Sequence, residues 1–179
     1  LCYLGITQSA TVNAIIVAIK VTVILLFLVV MFNYINADLW HPFIPANEGG
    51  SKFGWSGIYR GATLVFFAYI GFDAVSTAAG EAKNPQRDMP IGILGSLLIC
   101  TVLYVAMAAV MTGTTPFRML NTPEPVATAI NYVLGTVAVG SASSYLLGAL
   151  KILVVLAALA GLSSVVLVML MGQPRIFYS

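Results

Sequence analysis

The sequence predicts an all-α integral membrane protein, and three observations carry that expectation. Of the 179 residues, 60% are hydrophobic and 8% are charged, against about 25% charged residues in soluble domains. Apolar runs of about 20 residues recur, the length that a hydrocarbon core of about 30 Å demands of a helix rising about 1.5 Å per residue. The few charges fall either in the connections or at costly positions inside the runs. The net charge of +2 and the lack of any basic run exclude a nucleic-acid grip, and no Gly-rich phosphate loop is present.

The first run spans residues 14–32 and is apolar except for Lys20 and Thr22. A connection follows from Asn33 to Tyr59, in which Trp40, Phe43, Phe53, Trp55 and Tyr59 alternate with prolines and glycines, the mixture expected at a membrane interface. The second run covers residues 61–79 and is expected to break near Gly71. Asn84 and Pro85 end it, because proline disfavours helical geometry in the residue before it. Asp88 and Pro90 then supply cap and first-turn chemistry for a third span over residues 91–111, so the second and third spans are expected as antiparallel neighbours. In the long connection after it, residues 125–147 are apolar but interrupted by Gly135, Gly140 and a serine cluster at Ser141, Ser143 and Ser144. Short interfacial helices are expected there rather than a fifth span. The last span covers residues 152–171. The chain opens on Leu1 inside apolar sequence and ends at Ser179 directly after a helix, so it is expected to be a single-membrane-domain fragment of a longer protein.

The second span holds the most informative residues, Phe66 to Thr77, where Gly71 and Asp73 interrupt an otherwise apolar segment. In hydrocarbon every backbone group needs an internal partner, so a weak point in a spanning helix is tolerated where freed amides and carbonyls line a cavity or grip a ligand. A glycine that merely lets two helices approach is the competing reading. Asp73 must face protein or water, as a coupling residue or as a structural one bonding loose amides.

Lys20 lies about 9 Å inside the first run at about 1.5 Å per residue. Its neighbours on the same face, Ile16, Val17, Val23 and Ile24, offer no partner. Either its side chain reaches the headgroups or another helix receives it. A lysine, unlike an arginine, can change protonation state when its surroundings change.

Other positions read as structural. His41 stands without co-ligands in a connection, so no metal site is expected. Cys2 and Cys100 are small apolar residues too far apart in sequence and context to suggest a bridge. Small residues four apart, such as Ala157 with Gly161 and Ala160 with Ser164, are the seam pattern of packed membrane helices. An intramembrane hydrolase would need a catalytic set at membrane depth, and none is present, so no enzyme and no cofactor are expected. A channel-like or purely structural polytopic subunit without active transport remains the alternative. Lysine and arginine counts on the two sides do not decide orientation.

The run FFAYIGFDAVSTAAGEAKNPQRDMP, Phe66 to Pro90, resembles the sixth helix and following loop of bacterial members of the amino acid-polyamine-organocation transporter superfamily, nearest the cationic amino acid transporter-like permeases. Residues 13–20, NAIIVAIK, are similar to the fifth helix of that family, and Ala157 to Tyr178 to the eighth. The resemblance implies part of a five-plus-five inverted-repeat, leucine-transporter-like fold in the cell membrane, comprising helices five to eight. It implies secondary active transport of an amino acid, proton-coupled, by alternating access. The backbone of Phe67, Ala68 and Ile70 would receive the substrate ammonium beside Gly71, with the rings of Phe67 and Phe72 as walls or gate. Lys20 would occupy the place where sodium-coupled relatives bind a cation, with oxygens from Ser163 and Ser164, and Asp73 is the second coupling candidate. The loop Glu81 to Met89 would be cytoplasmic. Partners implied are the amino acid, protons, the lipid bilayer and the remaining N- and C-terminal helices, without nucleic acid. The chain departs from the family at Gly80-Glu81, where two successive acidic residues are common, which bears on gating at the inner mouth. No acidic residue lies within Phe67 to Phe72, which tilts the expected substrate towards small neutral or mixed amino acids.

Overall fold

Six polar or small residues between Thr7 and Asn13 do not stop the first helix. The structure is a computed structural model that describes residues 6–50, 52–66, 69, 84–138 and 140–178. Helix α1 runs over Ile6–Phe32, 27 residues, or about 40 Å at about 1.5 Å per residue. It is followed by a 3₁₀ turn at Ala37–Trp40 and by α2 at Gly54–Phe66. Helix α3 is Pro85–Thr114, a second 3₁₀ turn is Phe117–Leu120, α4 is Pro125–Thr136 and α5 is Ala142–Tyr178. All regular structure among the described residues is helical. Three segments are long and apolar enough to cross a membrane: Thr11–Phe32, Pro85–Thr114 and Ala142–Val166. Of the second expected span, α2 supplies the start and residues 71–79 lie outside the described residues.

The chain divides into two compact units. The first comprises Leu1–Leu39 with Tyr104–Ser179, and the second Trp40–Leu103. In the first, Phe27 and Met31 of α1, Val110 of α3, Ala129, Ile130 and Val133 of α4 and Leu147 and Leu150 of α5 form one buried apolar cluster. Outside this cluster the long helices present apolar residues on their exposed faces, among them Ile15, Val29 and Phe32 of α1 and Leu153, Leu156 and Leu159 of α5. A helix apolar all round is at home in lipid or against further helices.

Local chemistry explains the ends. Asn36 N–H donates to the Gly113 carbonyl at 2.8 Å, tying the exit of α1 to the last turn of α3. Pro125 stands at the first position of α4, where its missing N–H costs nothing. The 12 residues of α4 are too few to cross a bilayer that takes about 20, and its buried residues fall on one face. Helix α5 begins ten residues before the expected span, because Ser141 Oγ accepts the Ser144 N–H at 3.2 Å as an N-cap. The serine cluster thus starts a helix rather than breaking one, and residues 142–147 belong to α5.

In the second unit, Asn47 folds the connection onto the start of α2. Its Nδ2 donates to Ser56 Oγ at 2.8 Å, and its Oδ1 accepts the Gly49 N–H at 2.7 Å. Gly54 has φ +63, and a Cβ there would meet Asn47 Cβ at 3.2 Å, so only glycine suits the turn. At the other end of the unit, Asn84 N–H donates to Asp88 Oδ2 at 3.3 Å, and Asp88 closes the first turn of α3. Helix α3 starts at Pro85, a turn and a half ahead of the expected residue 91, with Pro90 inside it.

Candidate functional site

Lys20 sits on the face of α1 that meets α5. A cavity of about 460 Å³ opens beside it in the first unit, walled by Val23, Ile24 and Phe27 of α1, by Val154, Ala157, Ala158, Gly161, Leu162 and Val165 of α5, and by Met107 and Val126. Every wall other than Lys20 is apolar or glycine. The lysine stem crosses α5 at Gly161: a Cβ built on that glycine would lie 3.0 Å from Lys20 Cδ and 3.9 Å from Nζ. Any side chain at 161 would therefore contest the space that the lysine uses. Among the described residues, the Nζ has no hydrogen-bond or ion-pair partner, and no second charged group lines the cavity.

Two turns earlier on the same face stands Asn13. Its Oδ1 accepts the hydroxyl hydrogen of Ser164, which is 4% exposed. Seven residues advance an α-helix by nearly two full turns, so Asn13, Lys20 and Phe27 form one line along α1. Along α5 the facing positions run the other way, from Ser164 to Gly161 and on to the buried Leu150 and Leu147. The helices are antiparallel.

Of the two serines considered for Lys20, then, Ser164 is engaged by Asn13. Ser163 is exposed and donates to the Leu159 carbonyl of its own helix at 3.0 Å. Sequence reasoning missed Asn13, although it stands seven residues before Lys20, and that interval was the signal.

Phe67, Ala68, Ile70, Gly71, Phe72 and Asp73 lie outside the described residues. Tyr69 between them is described, and its hydroxyl is 3.0 Å from Thr101 Oγ1 of α3 within the second unit. Thr101 spends its own hydrogen on the Leu97 carbonyl at 2.8 Å, so Tyr69 is the donor. His41 is exposed, Cys100 is half-buried and free, and no group of three potential metal ligands occurs among the described residues.

A family model described as "Amino acid permease" matches residues 1–179. The chain belongs to this amino acid permease family. It is a multi-pass membrane protein of a transporter family, not an enzyme family. The chain is 41% identical over its whole length to the branched-chain amino acid permease BcaP of Bacillus subtilis (strain 168), covering 35% of that protein. It is 40% identical over 98% of its length to a methylthioribose transporter of the same organism, covering 34% of it. Against cationic amino acid transporter 9, chloroplastic, of Arabidopsis thaliana, identity is 39% over 97% of the chain and 27% of the relative. The chain thus spans about a third of the length of the curated relatives it matches. Helices α1, α3 and α5 contain the three segments long and apolar enough to cross a membrane.

Proposed function

We propose that this chain is the portion of a secondary active amino acid permease that holds both the substrate break and the coupling residue. Substrate is held at the interruption near Gly71, by backbone groups of Phe67, Ala68 and Ile70 and beside the rings of Phe67 and Phe72. Lys20 carries the coupling proton as the protein alternates between outward and inward access. The observation that supports this most directly is Lys20 itself, a cationic side chain at membrane depth, laid over a glycine on an apolar cavity without a partner among the described residues. A lysine kept there for structure alone would be costly, because a charge in hydrocarbon demands compensation. A lysine that gains and releases a proton with each cycle needs such a setting.

The relatives sharpen the substrate question. Proteins named for branched-chain amino acids, for methylthioribose and for cationic amino acids are 41%, 40% and 39% identical to this chain. Near-equal identity to relatives named for such different cargo does not choose between them, and the apolar and aromatic character of residues 67–72 favours a neutral amino acid.

The test is uptake by the full-length protein in proteoliposomes under an imposed pH gradient. Lys20→Ala is expected to lose gradient-driven accumulation while retaining exchange. Lys20→Arg is expected to fail too, because its group stays charged throughout the physiological range. Full retention of gradient dependence in Lys20→Ala, with normal insertion, would move the proton to another group, with Asp73 next in line.

A further inference from the structure

A positioning role falls to a residue that the transport reading leaves unused. Asn13 and Ser164 make a polar contact between α1 and α5, in which Asn13 is half-buried and Ser164 buried. Without Asn13, Ser164 would be expected to satisfy itself on the preceding turn of its own helix, as Ser163 does. Instead its hydroxyl reaches across the interface. A cross-helix bond made in preference to a local one fixes two helices in rotation and in axial register.

The next position on each helix towards the cavity is Lys20 over Gly161. The 3.0 Å approach of Cδ to the position of a Cβ makes glycine the residue that lets the stem lie closest to α5. A rotation of α5 by one position would bring Ala160 or Leu162 under the lysine stem in place of the glycine. Ala160 would push the stem aside by a few tenths of an ångström, and Leu162 would displace it.

We infer that the Asn13–Ser164 hydrogen bond is a clamp that holds Gly161 beneath Lys20, making Asn13 and Ser164 positioning residues for the lysine. The functional consequence rests on the coupling role proposed for Lys20; the geometric consequence does not. The side chains that face Lys20 from α3, α4 and α5 are Met107, Val126 and the apolar residues around Gly161, none of which titrates. Among the described residues, then, the Asn13 and Ser164 substitutions remove no charged neighbour of the lysine, and their effect on it is through its placement.

Two readouts on the full-length protein separate the clamp from the coupling role. The first is the pH profile of gradient-driven uptake in proteoliposomes, using whichever of leucine and lysine the wild-type protein accumulates. Asn13→Ala, Ser164→Ala and the double variant are expected to share one displaced midpoint, of roughly half a pH unit, instead of adding. The exchanged pair Asn13→Ser with Ser164→Asn should restore it. The second readout needs no transport. Lys20→Cys, in a protein with its other cysteines replaced, is alkylated by a membrane-permeant maleimide, and adding Asn13→Ala is expected to raise that rate several-fold by loosening the packing at Gly161. An unchanged alkylation rate and an unchanged midpoint in Asn13→Ala would overturn the clamp and leave the coupling role standing. A raised alkylation rate beside full gradient dependence in Lys20→Ala would keep the clamp and overturn the coupling role.

Discussion

Lys20 and Phe27 share one face of α1, seven residues apart, yet the helix meets two different interiors there. Around Met31 the space is filled: Met31 is fully enclosed, as are Ile130 of α4 and Leu147 of α5, and Phe27 separates this packed end from the cavity. Around Lys20 the same pair of helices, α1 and α5, leaves a cavity of about 460 Å³. The difference comes from α4. Its short helix closes the interface at the level of Phe27 and contributes only Val126 to the cavity wall. One end of the interface is filled by its own side chains, and the other leaves a cavity beside Lys20.

Truncation should expose this contrast most strongly. Lipid is as apolar as a protein core, so the hydrophobic term between membrane helices is small and packing dominates. Met31→Ala or Leu147→Ala would open an enclosed void and is expected to cost roughly 2 kcal/mol or more. Ile24→Ala faces a space already open and should cost roughly 1 kcal/mol or less by the same reasoning. Thermal unfolding midpoints of the purified full-length protein in detergent would rank them. Equal losses at the two ends would show that the cavity is filled by other parts of the protein and that the contrast is not energetic.

A smaller effect on stability, but a clear one on transport, is expected at Gly161. Gly161→Ala asks Lys20 to give by a few tenths of an ångström, which a flexible stem allows. Gly161→Val would push the stem off α5 and is expected to reduce uptake on the order of tenfold, as misplaced functional groups do. The measurement is initial uptake rate normalised to inserted protein. Wild-type uptake in Gly161→Val would remove the glycine from the site.

Which parts of this were legible in the sequence follows from what polar residues do inside a bundle. Membrane spans show in the length of apolar runs, because burying twenty residues of backbone in lipid leaves little choice but helix. The start of α1 did not show. Thr11 and Asn13 look like the end of an apolar run, and only the position of Ser164, 151 residues away, reveals that Asn13 is satisfied inside the interface. The start of α5 was hidden for a related reason. Three serines at 141, 143 and 144 read as a breaker, whereas an N-cap uses the same chemistry to begin a helix. Lys20 stood out as the charged residue in its run. Its resting place over Gly161 depends on the register of two helices, which no local pattern encodes.

The closed end contains one exception, and it gives the smallest expected effect. Thr115 follows the last turn of α3, is fully buried, and its N–H donates to the Met111 carbonyl at 3.1 Å. Its Oγ1 has no partner among the described residues, in contrast to the neighbouring Thr114, whose hydroxyl donates to the Val110 carbonyl at 2.9 Å. A buried hydroxyl left unsatisfied costs about 1–3 kcal/mol, and valine has nearly the same shape without that demand. Thr115→Val should therefore leave the midpoint unchanged or raise it slightly, while Thr114→Val, which removes a made bond to a carbonyl that keeps its helical partner, should lower it slightly. If the Phe27 end is closed as tightly as its burial indicates, no water enters to satisfy Thr115, and the two neighbouring substitutions must differ in sign. A lowered midpoint for Thr115→Val would mean that its hydroxyl is bonded in the full-length protein, and that the end of α3 is more open than its burial suggests.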